Sequence, residues 1–298
     1  MRVTQSMLSN NMLKNLSKSY ADMNKTMDQL STGKKINRPS DDPVIAMKGI
    51  NYRSQVTQVE QFQRNTNEVH NWMDNSDAAL DKATQTMQRL RELAVQASND
   101  TYDKGERENI KEEVEQLKEN LIDIANTKVN DKYIFNGTNT NTPPISTDNP
   151  EEFTFNTDPV NIEVASGTKL QANVDPSTVF GGVGEEGNIL ADIDKFIDAL
   201  DRETGSQEDI EASIQTLDDN INNIINARAD LGARMNRLEL VENRLSEQAI
   251  IAEQTMANNE DIDYEEAITE LITQESIHRA ALSAGSRIIQ PTLIDFLR

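Results

Sequence analysis

The longest regular pattern in the chain runs from Ile214 to Met256. Leu217, Ile221, Ile224, Leu231, Met235, Leu238, Leu245, Ala249 and Ala252 recur at steps of three or four, provided Arg228 and Glu242 are counted in the same row. Such steps place side chains along one stripe of an α-helix. A helix of that length extends about 65 Å at about 1.5 Å per residue, beyond what a compact domain uses. Arg228 and Glu242 interrupt an otherwise apolar seam, and polar residues in a seam fix register at some cost in stability.

A second stripe begins near the N-terminus, where Leu13, Leu16, Tyr20, Met23, Met27 and Leu30 share one helical seam. It stops at Gly33, a residue suited to ending helices, and Pro39 follows. Ser40, Asp41 or Asp42 can cap the next helix, and Pro43 fits a first-turn position where its missing N–H costs nothing. That helix reads from about 43 to 99, with Leu80, Ala83, Met87, Leu90, Ala94 and Ala97 on one face. Breaks at Asn99-Asp100 and Gly105 precede another, marked by Ile110, Val114, Leu117, Leu121 and Ile124. A shorter helix is expected at about 188–202. A last one, about 262–287, carries Tyr264, Ile268, Leu271 and Leu282, with Ile289 near the same seam. Pro291 and a short apolar tail holding Leu293 and Phe296 follow.

Residues 137–188 differ in character, holding five of the eight prolines and six of the twelve glycines. Alternation at Val160, Ile162 and Val164 and at Leu170, Ala172 and Val174, with the FTF triplet at 153–155, predicts short strands joined by turns. A disordered acidic loop is the competing reading. The fold class is therefore mainly α: an elongated antiparallel helical bundle or coiled coil formed by the N- and C-terminal halves, with a small β-rich inserted lobe. Three parts are expected: terminal assembly helices at 1–40 plus 258–298, a helical rod at 41–136 plus 189–257, and the outer lobe at 137–188.

Composition sharpens this picture. Aromatic residues make up 4% of the 298, and 51 acidic against 29 basic residues give a net charge of -22. Apolar material is spread thinly, which suits long narrow packing better than a round enzyme core. The acid excess argues against nucleic acid and anionic membranes as partners, because neutralising phosphates takes clustered Lys and Arg. Charge is uneven: residues 1–64 hold ten basic and five acidic residues, and 276–298 hold three basic and one acidic, so the body carries the acid excess. Basic ends could attract the acidic body of another subunit, or the charges could simply be solvated surface. There is no cysteine, hence no disulfide or thiolate chemistry. No apolar h-region opens the chain and no apolar run approaches a membrane span, so an extracellular role would require export without a cleavable signal peptide.

Candidate chemistry is sparse. Glu275-x-x-His278 has metal-ligand spacing, but a di-iron bundle needs two such motifs and two further Glu, and the other histidine, His70, has no acidic residue at the required offset. Gly181-Gly182-Val183-Gly184 lacks the Lys-Ser/Thr of a phosphate loop and is followed by Glu185-Glu186. Met7, Met12, Met23 and Met27 read either as core or as an adaptable contact surface. No catalytic residue, cofactor or metal site is expected, and the chain reads as a structural subunit.

Three segments carry a resemblance. LSTGKKINRPSDDP at 30–43 resembles the N-terminal signature of the bacterial flagellin family, in which a helix ends at a glycine and resumes after Ser-Asp-Asp. KYIFNGTNTNTPPI at 132–145 and ESIHRAALSAGSRIIQPTLIDFL at 275–297 are closer to the members that join hook to filament than to those that form it. Filament flagellins end in a run rich in Gln, Ala and Asn, whereas this chain has Arg287-Ile288-Ile289-Gln290-Pro291 before Leu293 and Phe296. The resemblance implies a structural adaptor of the flagellum, secreted through the flagellar type III export apparatus, with an export chaperone. It implies assembly in a ring of its own copies on the neighbouring hook-associated protein 1, with flagellin polymerising beyond; a filament-forming flagellin is the alternative. It also implies that about 1–40 and 258–298 order on assembly. The predicted assembly interface is Leu13, Leu16, Tyr20, Met23, Met27, Leu30, Ile268, Leu271, Leu282, Ile289, Leu293 and Phe296. The turn is Gly33, Pro39, Asp41, Asp42 and Pro43.

Overall fold

The structure, a computed structural model, describes residues 5–98, 104–145, 155–181, 188–201 and 206–289. Its helices are α1 (Gln5–Thr32), α2 (Pro43–Ala97), α3 (Lys104–Ala125), α4 (Pro176–Phe180), α5 (Ile189–Leu200), α6 (Gln207–Glu260) and α7 (Tyr264–Ile289). Its strands form two antiparallel hairpins, β1 (Lys128–Val129) with β2 (Lys132–Tyr133) and β3 (Asn161–Ala165) with β4 (Thr168–Gln171). The fold is thus mainly helical, with α2 of 55 residues and α6 of 54. The chain divides into two compact units: residues 1–58 with 248–298, and residues 59–247.

The second unit holds the core. Along α2, Leu80, Ala83, Met87, Leu90, Ala94 and Ala97 are all buried, as the periodicity predicts, and Leu217, Ile224, Leu231, Leu238 and Leu245 of α6 are buried with them. Ile110, Val114 and Leu121 of α3 and Ile193 and Phe196 of α5 join the same cluster. Lys118 ties α3 to α5 through Asp194 at 2.5 Å.

The two polar interruptions of the α6 seam both have partners on α2. Arg228 reaches Asp77 Oδ1 at 3.1 Å and Asp81 Oδ1 at 2.8 Å, and Glu242 lies 3.7 Å from His70 Nδ1. Arg91 pairs with Asp218 further along. Partner numbers fall on α6 as they rise on α2, so the helices run antiparallel, and a slip of either would break all these pairs. Hydrogen bonding to Asp77, reinforced by both nearby carboxylates, raises the Arg228 pKa. Arg228→Ala is expected to lower stability by roughly 1 kcal/mol, the aspartates being partly solvated. A urea midpoint that falls at unchanged slope would show it.

The lobe is more irregular than the alternation implies. β3 and β4 pair in register Ile162 opposite Leu170, with an irregularity between Glu163 and Ala165, and Gly167 makes the turn at a φ of 72°. The second strand ends at Gln171, not at Val174. Ala172 and Val174 are buried all the same, and the Asn173 carboxamide takes over from the ladder by accepting the Val160 N–H at 2.8 Å. Of the FTF triplet, Phe153 and Thr154 lie outside the described residues. Phe155 is not in a strand and stacks on Phe180, with ring centroids 5.7 Å apart. The unforeseen α4 is capped by Asp175, whose side chain accepts from the Ser177 N–H at 2.9 Å, with Pro176 at its first position. Gly181 closes α4, and the remainder of the glycine run lies outside the described residues.

Candidate assembly surface

The first unit contrasts sharply with the second. Among the described residues its only buried hydrophobic side chain is Ala267. Yet, among the described residues, all the exposed large hydrophobic side chains except Val95, Ile225 and Leu240 belong to it. Monomers rarely leave so much apolar surface in one region unless something else covers it.

Two helices form its arms. α1 lays one row against α7: Ser9, Met12, Leu16, Ser19, Met23 and Thr26 face Ala267, Leu271, Gln274, His278, Ala281 and Gly285. Thr26 Oγ1 donates to Gln274 Oε1 at 3.2 Å, and the Tyr20 ring sits 6.0 Å from that of His278. A Cβ at Gly285 would stand 2.5 Å from Met12 Cε, so the glycine admits the methionine.

The predicted stripe is divided by this geometry. Leu16, Met23 and Leu30 are half-buried, while Leu13, Tyr20 and Met27 are exposed. One neighbouring helix can cover only one row of a seam, so the row offset by half a heptad is left over. On α7, Leu271 is half-buried, whereas Ile268 and Leu282 are exposed. Ile289 ends the helix with its side chain outside the described residues, as are Leu293 and Phe296.

A clasp joins the two chain halves at the base of the arms. Gly33 takes a φ of 69°, and its carbonyl accepts the Ile262 N–H at 3.0 Å. The Lys35 N–H donates to the Glu260 carbonyl at 2.7 Å, making one rung of antiparallel pairing between residues more than 200 positions apart. Asp41 Oδ2 accepts from the Asn37 and Arg38 N–H groups, holding the turn that contains Pro39. Asp42 is the cap, accepting from Val44 N at 2.9 Å and Ile45 N at 3.1 Å, and Pro43 opens α2. Asp263 does the same for α7.

The centre of the clasp is a carboxylate the sequence reading did not single out. Glu260 is 4% exposed, and its Oε2 lies 2.7 Å from Arg53 and 3.6 Å from Lys34. Gly49 makes room for it, since a Cβ there would sit 2.7 Å from Glu260 Oε1. An isolated glycine inside a predicted helix is the signal that could have revealed this approach. Lys34 also donates to Asp261 at 2.6 Å, and that hydrogen bond, with the two acidic charges, raises its pKa above the ordinary 10.5. A raised lysine stabilises below its unfolded value and loses that contribution only as pH climbs past the folded one. Amide protection in the clasp is therefore expected to stay unchanged between neutrality and pH ~9 on account of Lys34, and to fall above about 10.5.

Glu275 pairs with Arg279, and His278 packs on Tyr20. Among the described residues no group of three or more His, Asp or Glu side chains could hold a metal ion, and no helix is long and apolar enough to cross a membrane.

Comparison with known proteins places these arms. The model of the bacterial flagellin N-terminal helical region matches residues 3–140, and that of the C-terminal helical region matches 214–297. The chain is 26% identical to flagellar hook-associated protein 3 of Escherichia coli K12, over 95% of this chain and 96% of that one. It is 31% identical to the flagellar filament 31.3 kDa core protein of Treponema maltophilum, over 78% of this chain and 76% of that one. The crystal structure of a flagellar junction protein from Legionella pneumophila shares the fold, with a TM-score of 0.57 at 16% identity, covering 72% of this chain and all of that one. Helices from both ends of the sequence, clasped at their base and matching both terminal models, show that the chain belongs to the bacterial flagellin family.

Proposed function

We propose that this protein is the structural adaptor between hook and filament, a hook-associated subunit of the flagellum. The observation that carries the reading is the end-to-end likeness to flagellar hook-associated protein 3. It is supported by arms that expose their apolar rows instead of burying them. The subunit leaves the cell through the flagellar export apparatus with the help of a chaperone. It then forms a ring of its copies on hook-associated protein 1 and offers flagellin a template. Residues 1–40 and 258–298 act as assembly segments that order when neighbours cover them, because an amphipathic helix pair without a core is marginal in water. Leu13, Tyr20, Met27, Ile268 and Leu282 contact neighbouring subunits, and residues 137–188 form the outer surface.

Deleting the gene in its host is expected to leave hooks without filaments, with flagellin shed into the medium; electron microscopy of the cells reads this directly. Filaments of normal length on the deleted strain would overturn the reading. The likeness to the Treponema filament core protein favours a second one, a filament-forming flagellin. In that case purified subunits would extend a seed of their own kind into long filaments.

A further inference from the structure

We propose that Asn136 is a site of spontaneous amide loss which the closed lobe holds off, and which, once modified, keeps the lobe from closing again. The proposal goes beyond the adaptor reading and does not depend on it, since the chemistry needs only an unfolded chain and water.

Asn136 and Gly137 are the one Asn-Gly pair in the sequence. In a pliable chain this pair is self-reactive, because glycine has no side chain to keep its backbone nitrogen away from the asparagine before it. The Gly137 nitrogen attacks Asn136 Cγ, the Cγ–Nδ2 bond breaks, and Nδ2 leaves as ammonia with the proton that Gly137 gives up. Water then opens the resulting five-membered imide at either of its carbonyls. The products are aspartate, or isoaspartate in which the main chain runs through Cγ. One water is consumed and one ammonia released, with no change of oxidation state.

The fold demands this same pair. Gly137 takes a φ of 48° in a tight turn, closed by the Asn139 N–H on the Asn136 carbonyl at 2.8 Å. A Cβ there would stand 2.3 Å from the Asn156 carbonyl oxygen and 2.9 Å from that of Asp158, so only glycine fits. Asn136 is fully buried, and its side chain ties three segments together. Nδ2 donates to the Thr142 carbonyl at 3.0 Å and to Thr142 Oγ1 at 3.3 Å, while Oδ1 accepts the Asn156 N–H at 2.9 Å. Tied at both ends and shut off from water, the carboxamide is not free to bring Cγ onto the Gly137 nitrogen. The preceding Ile134 and Phe135 are also fully buried, and Phe135 meets Phe180 edge-on with ring centroids 5.5 Å apart. The turn is therefore released only when this packing opens.

Modification removes what holds the turn. A carboxylate has no N–H to offer the Thr142 carbonyl, so two acceptors face each other, and a charge enters a fully buried position. Isoaspartate also lengthens the main chain beside a glycine that has no space to yield. Either product breaks the tie among residues 136, 142 and 156 and leaves the packing of α2 on α6 untouched.

The test ages the wild-type full-length chain in two states, folded in buffer and unfolded in concentrated urea at the same mildly alkaline pH. Peptide mass spectrometry follows the change from amide to carboxylate. In urea Asn136 is expected to convert ahead of every other asparagine, and in the folded chain at least ~100-fold more slowly, because the reaction there waits on opening. After removal of urea, the aged chain is expected to recover protection at the amides of Leu80 to Leu93 while the Asn156 amide exchanges fast; a fresh chain taken through urea recovers both. Phe180→Ala loosens the aromatic packing and touches none of the Asn136 hydrogen bonds, and is expected to speed conversion in the folded state about tenfold or more. Equal rates in the folded and unfolded chains, another asparagine converting first in urea, an aged chain that regains protection at Asn156, or a Phe180→Ala rate equal to wild type would each overturn the proposal.

Discussion

Replacing Leu16 and Met23 together by aspartate is expected to abolish incorporation of the subunit into the flagellum while residues 59–247 stay folded. Both side chains lie in the row of α1 that faces α7, where among the described residues no buried hydrophobic side chain except that of Ala267 supports the contact. Full burial of such a side chain is worth about 1.5–3 kcal/mol, and half-burial proportionately less, so the pair supplies roughly 2–3 kcal/mol before neighbours add to it. Placing two carboxylates there removes that contribution and adds the cost of desolvating charge. The core of the second unit, built from Leu80, Met87, Leu121, Phe196 and Leu231, shares none of these contacts. Its urea transition should keep its midpoint, while double-mutant cells shed filaments; a motile double mutant with normal filaments would show that the arms assemble by other surfaces.

Much of this architecture is legible in the sequence because long helices repeat their signal many times. The α6 row is read correctly over its whole length, and even its faults are informative: Arg228 and Glu242 break the apolar pattern because α2 presents Asp77, Asp81 and His70 to them. The β1–β2 hairpin escapes notice because its strands have two residues each, too few for alternation to register. The Asn130-Asp131 turn, with φ of 50° and 62°, is its one local signature. In the lobe, alternation persists through Ala172 and Val174 after the strand has ended, since burial on one side continues while an asparagine side chain replaces the ladder. The assembly rows illustrate a further limit. Leu13 and Leu16 are equivalent in the periodicity, and only the placement of α7 makes one inward and the other outward. Gly49 marks a close approach within its helix, but that the approaching group is Glu260 is not legible locally, because its burial against Gly49 and Arg53 joins positions more than 200 residues apart.

Gly33→Val is expected to open the clasp and to cost assembly without touching the core of the second unit. A β-branched residue at a φ of 69° incurs strain on the order of 1–3 kcal/mol. The new Cβ would also stand 2.8 Å from the Tyr264 hydroxyl, which must rotate away. Relief of that strain means leaving the left-handed conformation, and the Gly33 carbonyl then turns from the Ile262 N–H it accepts at 3.0 Å. The neighbouring rung, Lys35 N–H to the Glu260 carbonyl, depends on the same backbone, and with it the position of the Glu260 carboxylate against Arg53. Loss of both rungs frees α1 from the start of α7, so the rows of Leu16 and Leu271 are no longer brought together in advance, and assembly must supply that ordering itself. Hydrogen exchange is expected to accelerate at the Lys35 and Ile262 amides and along α1, while the amides of Leu80 to Leu93 keep their protection. Gly33→Asn, which tolerates positive φ, is expected to retain most of the protection and most of the motility. Equal loss in the valine and asparagine variants would assign the effect to the Tyr264 contact and not to the backbone.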